Sequence, residues 1–171
     1  TSTPKMALEL QANPETIKPL SLFRRQLIAS GYQEAITYSF IDPQLQQHID
    51  PDVTPVCVQN PISADMSVMR TSLWPGLLST AMHNLNRQQS RVRIFEAGQC
   101  FVPKQGEALA QNMAIAGLIC GSRTPVGWTA GKDKVDFFDI KGDVQAVLAH
   151  TGLSEQFSFV PARSEERRVG K

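Results

Sequence analysis

Apolar residues recur at intervals of three and four positions between residues 74 and 85, and this spacing predicts an amphipathic helix. The apolar positions are Trp74, Leu77, Leu78, Ala81, Met82 and Leu85. Pro75 falls in the predicted first turn, where the missing N–H of a proline breaks no helical hydrogen bond. The other face of this helix is polar, as expected for a helix that packs against a core on one side.

The remaining pattern predicts further helices and several strands. Helices are predicted at residues 20–30, stopped by Gly31, in a short stretch after Asp42-Pro43, and at residues 136–150. Strands are predicted at residues 34–40, 54–58, 91–101, 113–120 and 156–160. The run at 113–120 is almost wholly apolar and predicts a central strand covered on both faces. This mixture favours an α+β fold with an antiparallel or mixed sheet.

A turn-rich loop leads into the amphipathic helix and contributes most of the candidate contact residues. Within the Asn60-Pro61-Ile62-Ser63 turn, proline disfavours a helical conformation for the residue before it, and a serine can hydrogen-bond local backbone. Polar residues on or beside this segment lie outside the apolar stripe, and we interpret them either as partner-interface contacts or as anchors of the loop. The candidates are Asn60, Pro61, Arg70, Asn84, Asn86 and Arg87.

The charge balance is nearly neutral and depends on the last nine residues. The chain has 17 Lys+Arg and 16 Asp+Glu, a formal net charge of +1. Residues 163–171 contain four basic and two acidic residues and break from the preceding apolar alternation, so we interpret them as a non-native tail. Without them, 13 Lys+Arg and 14 Asp+Glu leave −1. This balance gives no basic face for nucleic-acid binding.

The residue types that carry catalysis or bind metals form no recognisable motif. Cys57, Cys100 and Cys120 are far apart and form no C-x-x-C pair, so we expect reduced, mostly buried thiols. The three histidines lie in separate predicted helices, and no phosphate-binding loop of the form GxxxxGK(S/T) occurs. No apolar run approaches the roughly 20 residues of a membrane span, and no secretory signal is recognised. We therefore expect a cytoplasmic protein without membrane association.

Four stretches of the chain resemble the beta subunits of bacterial phenylalanine tRNA ligases. The main one, residues 60–87, reads NPISADMSVMRTSLWPGLLSTAMHNLNR and is similar to a family loop of the form NPxSxxxSVMRTSLxPGLL followed by a helix ending NLNR. The others are GYQEAITYSFID at 31–42, RVRIFEAGQCF at 91–101 and VDFFDIKGDVQAVL at 135–148. All four occur in the order that the family has them.

That resemblance implies a class II aminoacyl-tRNA synthetase-like module with flanking helices, incomplete at the C-terminus. It divides the chain into a linker from an upstream domain (1–18), the synthetase-like module (19–162) and the tail (163–171). The implied enzyme attaches phenylalanine to its tRNA with ATP and Mg²⁺ as an alpha2beta2 tetramer. In this reading the module is non-catalytic, binds no cofactor or metal itself, and is a structural partner of the catalytic alpha subunit, while tRNA binds through the holoenzyme.

Residues 91–101 also resemble the second motif of class II enzymes, in which an arginine contacts the ATP phosphate and a glutamate lies two positions later. Here Arg93 and Glu96 are three positions apart, and in a strand this offset directs them to opposite faces. We therefore predict a strand with surface arginines rather than an ATP site. Two alternative functions stay open, a competent adenylate-forming class II ligase domain and an RNA-binding module.

Overall fold

The computed structural model describes residues 18–103, 109–125, 127–128 and 133–160. In chain order the elements are α1 (Leu20–Ala29), β1 (Gln33–Glu34), β2 (Phe40–Ile41), α2 (Pro43–Ile49), a 3-10 turn (Ala64–Met66), β3 (Val68–Met69), α3 (Trp74–Asn86), β4 (Arg91–Val102), β5 (Ala110–Gly121), α4 (Phe137–Ala149) and a second 3-10 turn (Ser154–Gln156). The predicted α+β mixture is confirmed. The predicted tail, and all of the predicted linker except Lys18, lie outside the described residues.

The main sheet is mixed and has the order β1-β4-β5. β4 and β5 pair antiparallel along all twelve residues of each strand, whereas β1 runs parallel to β4 with Gln33 opposite Ile94. β2 and β3 form a separate antiparallel pair. This arrangement confirms the prediction of an antiparallel or mixed sheet.

Helices cover both faces of the main sheet because β4 is apolar on both sides. On one face, Leu77 and Ala81 of α3 pack against Val92 and Ile94. On the other face, Phe95 packs with α1 and with the first residues after it, and α4 contributes partly buried contacts. Full burial of one large apolar side chain contributes roughly 1.5–3 kcal/mol, so these two clusters supply most of the local stability.

Local sequence signals explain where the helices begin and end. Gly31 has a φ of +82°, a conformation that glycine adopts without strain, and it terminates the turn after α1. The Asp42 side chain accepts a hydrogen bond from the Gln44 N–H at the start of α2. α4 begins with a capping box in which Asp136 and Asp139 each accept a backbone N–H of the other. Neither these helices nor α3 are long and apolar enough to cross a membrane.

Three strand predictions were wrong, and in the first two a side chain or a proline interrupts the expected pairing. Ala35 N–H still donates to Phe95 O at 2.7 Å, but the next residues leave the sheet where Thr37 N–H bonds to the Glu96 carboxylate. Residues 54–58 make a single bridge, and Pro55 has no N–H to donate to a ladder. Residues 157–160 are exposed and form no strand.

Of the two long strands, one agrees with the prediction and the other differs in its place in the sheet. β4 runs through Gly98, which lies opposite Ala114, as the prediction of a strand at 91–101 requires. β5 is not a central strand in the described part of the sheet, because it pairs with β4 and leaves its other edge open. Met113, on this strand, is 58% exposed, so the apolar run does not have both faces covered.

Candidate functional site

An ion pair between Arg70 and Glu96 lies in the protein interior, between the loop before α3 and the middle of β4. Arg70 Nη1 donates to Glu96 Oε1 at 2.7 Å, and the two side chains are 4% and 3% exposed. Breaking such a pair by removing one partner typically costs about 3–5 kcal/mol, because the remaining charge is buried without compensation. The pair therefore stabilises the contact between the loop before α3 and β4, and neither charged group is accessible to a substrate.

Thr37 and Gln99 complete the hydrogen bonds of this pair. The Thr37 hydroxyl donates to Glu96 Oε2 at 2.8 Å, and Arg70 Nη1 lies 3.1 Å from the same hydroxyl oxygen. Arg70 Nε donates to the backbone carbonyl of Gln99 at 3.0 Å. Both members of the ion pair are therefore also hydrogen-bonded to another part of the chain, Glu96 to Thr37, and Arg70 to Thr37 and Gln99. A buried ion pair requires such additional hydrogen bonds.

Two glycines allow these segments to approach so closely. A Cβ added to Gly76 in α3 would lie 2.7 Å from the Thr37 Cβ, and one added to Gly98 would lie 2.4 Å from Arg70 Nη2. Both distances are shorter than any real Cβ contact, so a larger residue at either position would displace the cluster. Gly98 thus accounts for the uninterrupted course of β4 beside the guanidinium.

The backbone of Arg70 also holds the loop in place. Arg70 N–H donates to Ser39 O at 2.9 Å, and Phe101 N–H donates to Arg70 O at 2.9 Å. Asn60 and Pro61, at the other end of the loop, are exposed. The predicted candidates in this loop therefore lie in different environments, one inside the protein and two on its surface.

The three candidates at the end of α3 are not joined to Arg70 by any hydrogen bond or ion pair among the described residues. Asn84 Nδ2 donates to Thr80 O at 2.8 Å within the helix, and Asn84 O accepts the Gln89 N–H after it. Asn86 and Arg87 are exposed. Their roles as interface or anchoring residues stay predictions.

Arg93 and Glu96 contact different neighbours on opposite faces of the sheet. Arg93 Nη1 donates to Ser30 O at 2.7 Å, its guanidinium lies 5.3 Å from the centre of the Tyr32 ring, and Arg93 Nη2 is 3.5 Å from Asp143 Oδ2. The Tyr32 hydroxyl donates to the same Asp143 oxygen at 2.7 Å. Burial, followed by the Asp143 carboxylate, raises the pKa of Tyr32. Arg93 and Glu96 thus have no nucleotide-sized space in common.

A groove of about 630 Å³ lies between the segment after β1 and the first turns of α3. Large apolar side chains border it and remain open to solvent: Ile36 is 91% exposed, Tyr38 72% and Phe40 37%. Polar contributions come from Asp65 and His83 among others. We refer to this feature, defined by Ile36, Tyr38, Phe40, Pro75 and Gly76, as the apolar groove.

The amphipathic stripe of α3 is wider than the surface that the sheet covers. Leu77 and Ala81 are buried, but four other members of the predicted stripe remain partly or largely exposed. They are Trp74 (43%), Leu78 (39%), Met82 (57%) and Leu85 (42%). The helix pattern was predicted correctly, whereas four of the six residues of the stripe are not buried within the described part of the chain.

The remaining acidic groups and thiols form no metal site among the described residues. No group of three or more potential metal ligands lies together in the part of the chain that the structure describes. Asp136 and Asp139 bind Arg123 at 2.9 and 3.1 Å. Burial raises the pKa of the Cys100 thiol. Cys57 is exposed, so the prediction of mostly buried thiols was wrong for this residue.

Sequence reasoning missed Thr37 and Glu96 as members of the buried cluster, because Glu96 was interpreted as part of a strand with surface charges. The alternation of side chains along β4 contained the signal that could have identified Glu96. Glu96 alternates in register with Val92 and Ile94, so it shares their face, which is the face that α3 covers. A carboxylate on a covered face requires a cationic partner, and Arg70 in the neighbouring loop was available.

Comparison with known proteins gives a consistent family assignment. The family model described as "Phenylalanyl tRNA synthetase beta chain CLM domain" matches residues 1–170. A phenylalanine–tRNA ligase beta subunit from Pseudomonas fluorescens Pf-5 is 56% identical over 168 residues, which are 98% of this chain and 21% of that protein. The corresponding subunit from Methylococcus capsulatus is 48% identical over 159 residues, 93% of this chain and 20% of that protein.

The chain thus spans about a fifth of the length of these curated relatives. Among solved structures, a pyrrolysyl tRNA synthetase from Desulfitobacterium hafniense aligns with a TM-score of 0.49 at 19% identity, covering 78% of this chain and 45% of that chain.

Proposed function

Because the chain belongs to the phenylalanyl-tRNA synthetase beta chain family, we propose that it is a non-catalytic structural module of a phenylalanine tRNA ligase. In this proposal the assembled enzyme joins phenylalanine to its tRNA with ATP and Mg²⁺ in the cytoplasm. The module binds neither cofactor and supports the catalytic alpha subunit within an alpha2beta2 tetramer. tRNA binds to the assembly as a whole.

The observation that carries this proposal is the solvent exposure of Ile36 and Tyr38 beside the apolar groove. Large aliphatic and aromatic side chains at 91% and 72% exposure are costly in contact with water and are typical of surfaces that a partner covers. They stand on an extended segment that Thr37 attaches to the buried Arg70–Glu96 pair. A rigidly held apolar edge is suited to positioning a partner subunit.

The commitment of Glu96 to Arg70 supports a non-catalytic role. A glutamate that is 3% exposed and paired at 2.7 Å does not reach a nucleotide, and Arg93 is held on the other face by Ser30 and Asp143. The arrangement therefore supports a scaffold in preference to a competent adenylate-forming domain. The near-neutral charge, with 17 Lys+Arg against 16 Asp+Glu, likewise offers little support for an RNA-binding module.

The proposed fold is a class II synthetase-like sheet that continues beyond β5. Support comes from the second edge of this twelve-residue strand, along which no further strand pairs among the described residues and only its last residue, Gly121, accepts a backbone N–H, from Val135; such an edge is a template for a further strand. α3 contacts both β4 and β5 and exposes Trp74, Leu78 and Met82, and further strands would give these side chains a surface to pack on.

Phenylalanine-dependent exchange of pyrophosphate into ATP, measured with the complete beta chain alone and then with the alpha chain, tests the division of labour. We expect exchange when alpha is present and none with the beta chain alone. Exchange by the isolated beta chain would overturn the non-catalytic assignment.

A pair of matched variants tests the interface. Ile36→Asp places a charge at the apolar groove, and we expect it to weaken assembly with alpha at least tenfold, because burying an unpaired carboxylate is costly. Ile62→Asp is the control, since Ile62 is also 91% exposed but does not line the groove. Light scattering of the mixed chains reports assembly. Equal assembly of the two variants would reject the groove as the alpha-binding surface.

A further inference from the structure

A second cleft, of about 350 Å³, lies at the edge of β4 that β1 leaves uncovered. It is lined mainly by polar groups, which include Gln33, Asn84 and Gln89. Arg91 and Arg93 line it as well. A water molecule occupies roughly 30 Å³ in the liquid, so the cleft has room for an oxyanion of four oxygens together with several waters.

Each of the two arginines has one guanidinium N–H that is not hydrogen-bonded to any described residue. The Nε atoms of both Arg91 and Arg93 are buried, and neither has a hydrogen-bond partner among the described residues. Arg93 uses its terminal nitrogens on Ser30 and Asp143, so its Nε is the group left over. Because both Nε atoms are buried, a ligand in the cleft would first meet the terminal part of the Arg91 guanidinium, and an Nε would reach the ligand only if its side chain shifted.

Arg91 differs from Arg93 because its charge has no counterpart in the described structure. Arg93 is neutralised by Asp143 at 3.5 Å, whereas no described hydrogen bond or ion pair involves the Arg91 guanidinium. That guanidinium lies over the turn at Gly31, with Nη2 3.6 Å from the position of an added Cβ. The residues that line the cleft include no carboxylate, and Asp143 offsets the charge of Arg93, so the charge of Arg91 is the one that attracts an anion.

Strand geometry makes the two arginines suitable for one ligand. Residues two apart on a strand project from the same face at a spacing of roughly 7 Å, so two guanidinium groups can approach an oxyanion from adjacent sides. Arginine binds phosphate with planar, often bidentate hydrogen bonds, and the amides of Gln33 and Gln89 add further donors. This geometry is separate from the Arg70–Glu96 cluster, which lies on the other face of β4.

We propose that this cleft binds a phosphate group, with Arg91 as the principal cation and the side-chain amides of Gln33 and Gln89 as further donors. The phosphate is supplied either as free inorganic phosphate or by the backbone of an RNA strand, since both present the same oxyanion. The site is built from β1, β4, the end of α3 and the turns that follow α1 and α3, and it does not depend on the ligase function proposed above.

Calorimetric titration of the complete beta chain, assembled with alpha, tests this site with inorganic phosphate at constant ionic strength set by chloride. We expect Arg91→Gln to raise the dissociation constant for inorganic phosphate by about tenfold or more, because a charge-assisted hydrogen bond is lost. Arg25→Gln, an exposed arginine on α1 outside the cleft, is the matched control and is expected to bind as the natural chain does. Arg91→Lys keeps the charge without the planar fork and is expected to retain part of the affinity; it also gives the comparison if Arg91→Gln fails to fold.

A ten-nucleotide single-stranded RNA, followed by fluorescence anisotropy, identifies the source of the phosphate. Binding of this RNA that weakens in Arg91→Gln but not in Arg25→Gln assigns the site to an RNA backbone, whereas Arg91-dependent binding of inorganic phosphate alone assigns it to the free ion. Both results support the site. If neither inorganic phosphate nor the RNA shows binding that weakens in Arg91→Gln but not in Arg25→Gln, the proposed site is overturned. That result leaves the pyrophosphate exchange assay unaffected as a separate test of the ligase proposal.

Discussion

Replacing Glu96 by glutamine removes the carboxylate that neutralises Arg70 and keeps nearly the same side-chain volume. The Arg70 guanidinium, with its side chain 4% exposed, would then carry a buried charge without a counter-ion, since the new amide oxygen, the Thr37 hydroxyl and the Gln99 carbonyl are all neutral acceptors. Loss of one partner from a buried ion pair costs about 3–5 kcal/mol, which corresponds to roughly a hundredfold to a few thousandfold change in the local opening equilibrium. We expect the population in which the loop before α3 is detached from β4 to rise by this factor.

Hydrogen–deuterium exchange in the complete beta chain measures this opening locally. The informative amides are those of Arg70 and Phe101, which bond to Ser39 O and Arg70 O at 2.9 Å each. Both should exchange faster in Glu96→Gln by the stated factor if they exchange through local opening.

The control for this prediction is Glu34→Gln, which removes a carboxylate from the exposed Arg24–Glu34 pair, whose side chains are 39% and 28% exposed. Exposed pairs contribute about 0–1 kcal/mol, so exchange at residues 70 and 101 should stay nearly unchanged. The double variant Arg70→Met with Glu96→Leu should recover much of the loss, because it leaves no unpaired charge inside. Equal protection in Glu96→Gln and Glu34→Gln would refute the view that the buried pair locks the loop.

Two further predictions concern close packing and pH. Gly98→Ala should lower the free energy of unfolding in urea by about 1–3 kcal/mol, because the new Cβ would lie 2.4 Å from an Arg70 guanidinium that cannot easily move. Gly142→Ala is the control and should not lower it, because an added Cβ there has nothing within 4 Å. An equal loss of unfolding free energy in both variants would contradict the packing argument. The backbone N–H of the N-cap residue of α4, and then Arg123, hold the pKa of Asp139 below its ordinary value of 3.8. The stability that this carboxylate gives to α4 is therefore present above pH 4 and lost as the pH falls through the lowered pKa; a carboxyl titration by NMR with a midpoint at or above 3.8 would contradict this reasoning.

Much of the helical structure could be predicted from the sequence because its signals are local. The spacing of apolar residues predicted α3, the Asp42-Pro43 pair predicted α2, and glycine at position 31 predicted the end of α1. Each signal acts through hydrogen bonds or backbone preferences within a few residues. Such elements keep their identity whatever packs around them.

Strand extents were predicted less well because pairing joins distant segments. Residues 34–40 have strong β-forming composition, yet the ladder ends near Ala35 because the carboxylate of Glu96, about sixty positions later in the chain, captures the Thr37 N–H. The apolar run of β5 predicted a strand correctly, but its place at an edge depends on which other strands pair with it.

The sequence by itself determined the family, the helices with their caps, and the opposite directions of Arg93 and Glu96, since these follow from local spacing and from the two-residue period of a strand. The tertiary structure alone decided that Arg70 and Glu96 form a buried pair, that Asn60 lies on the surface, and that Arg91 has no hydrogen-bond or ion-pair partner among the residues that the structure describes. The physical reason is that charge pairing and burial depend on distances through space between segments far apart in the chain, and those distances exist only once the layers have packed.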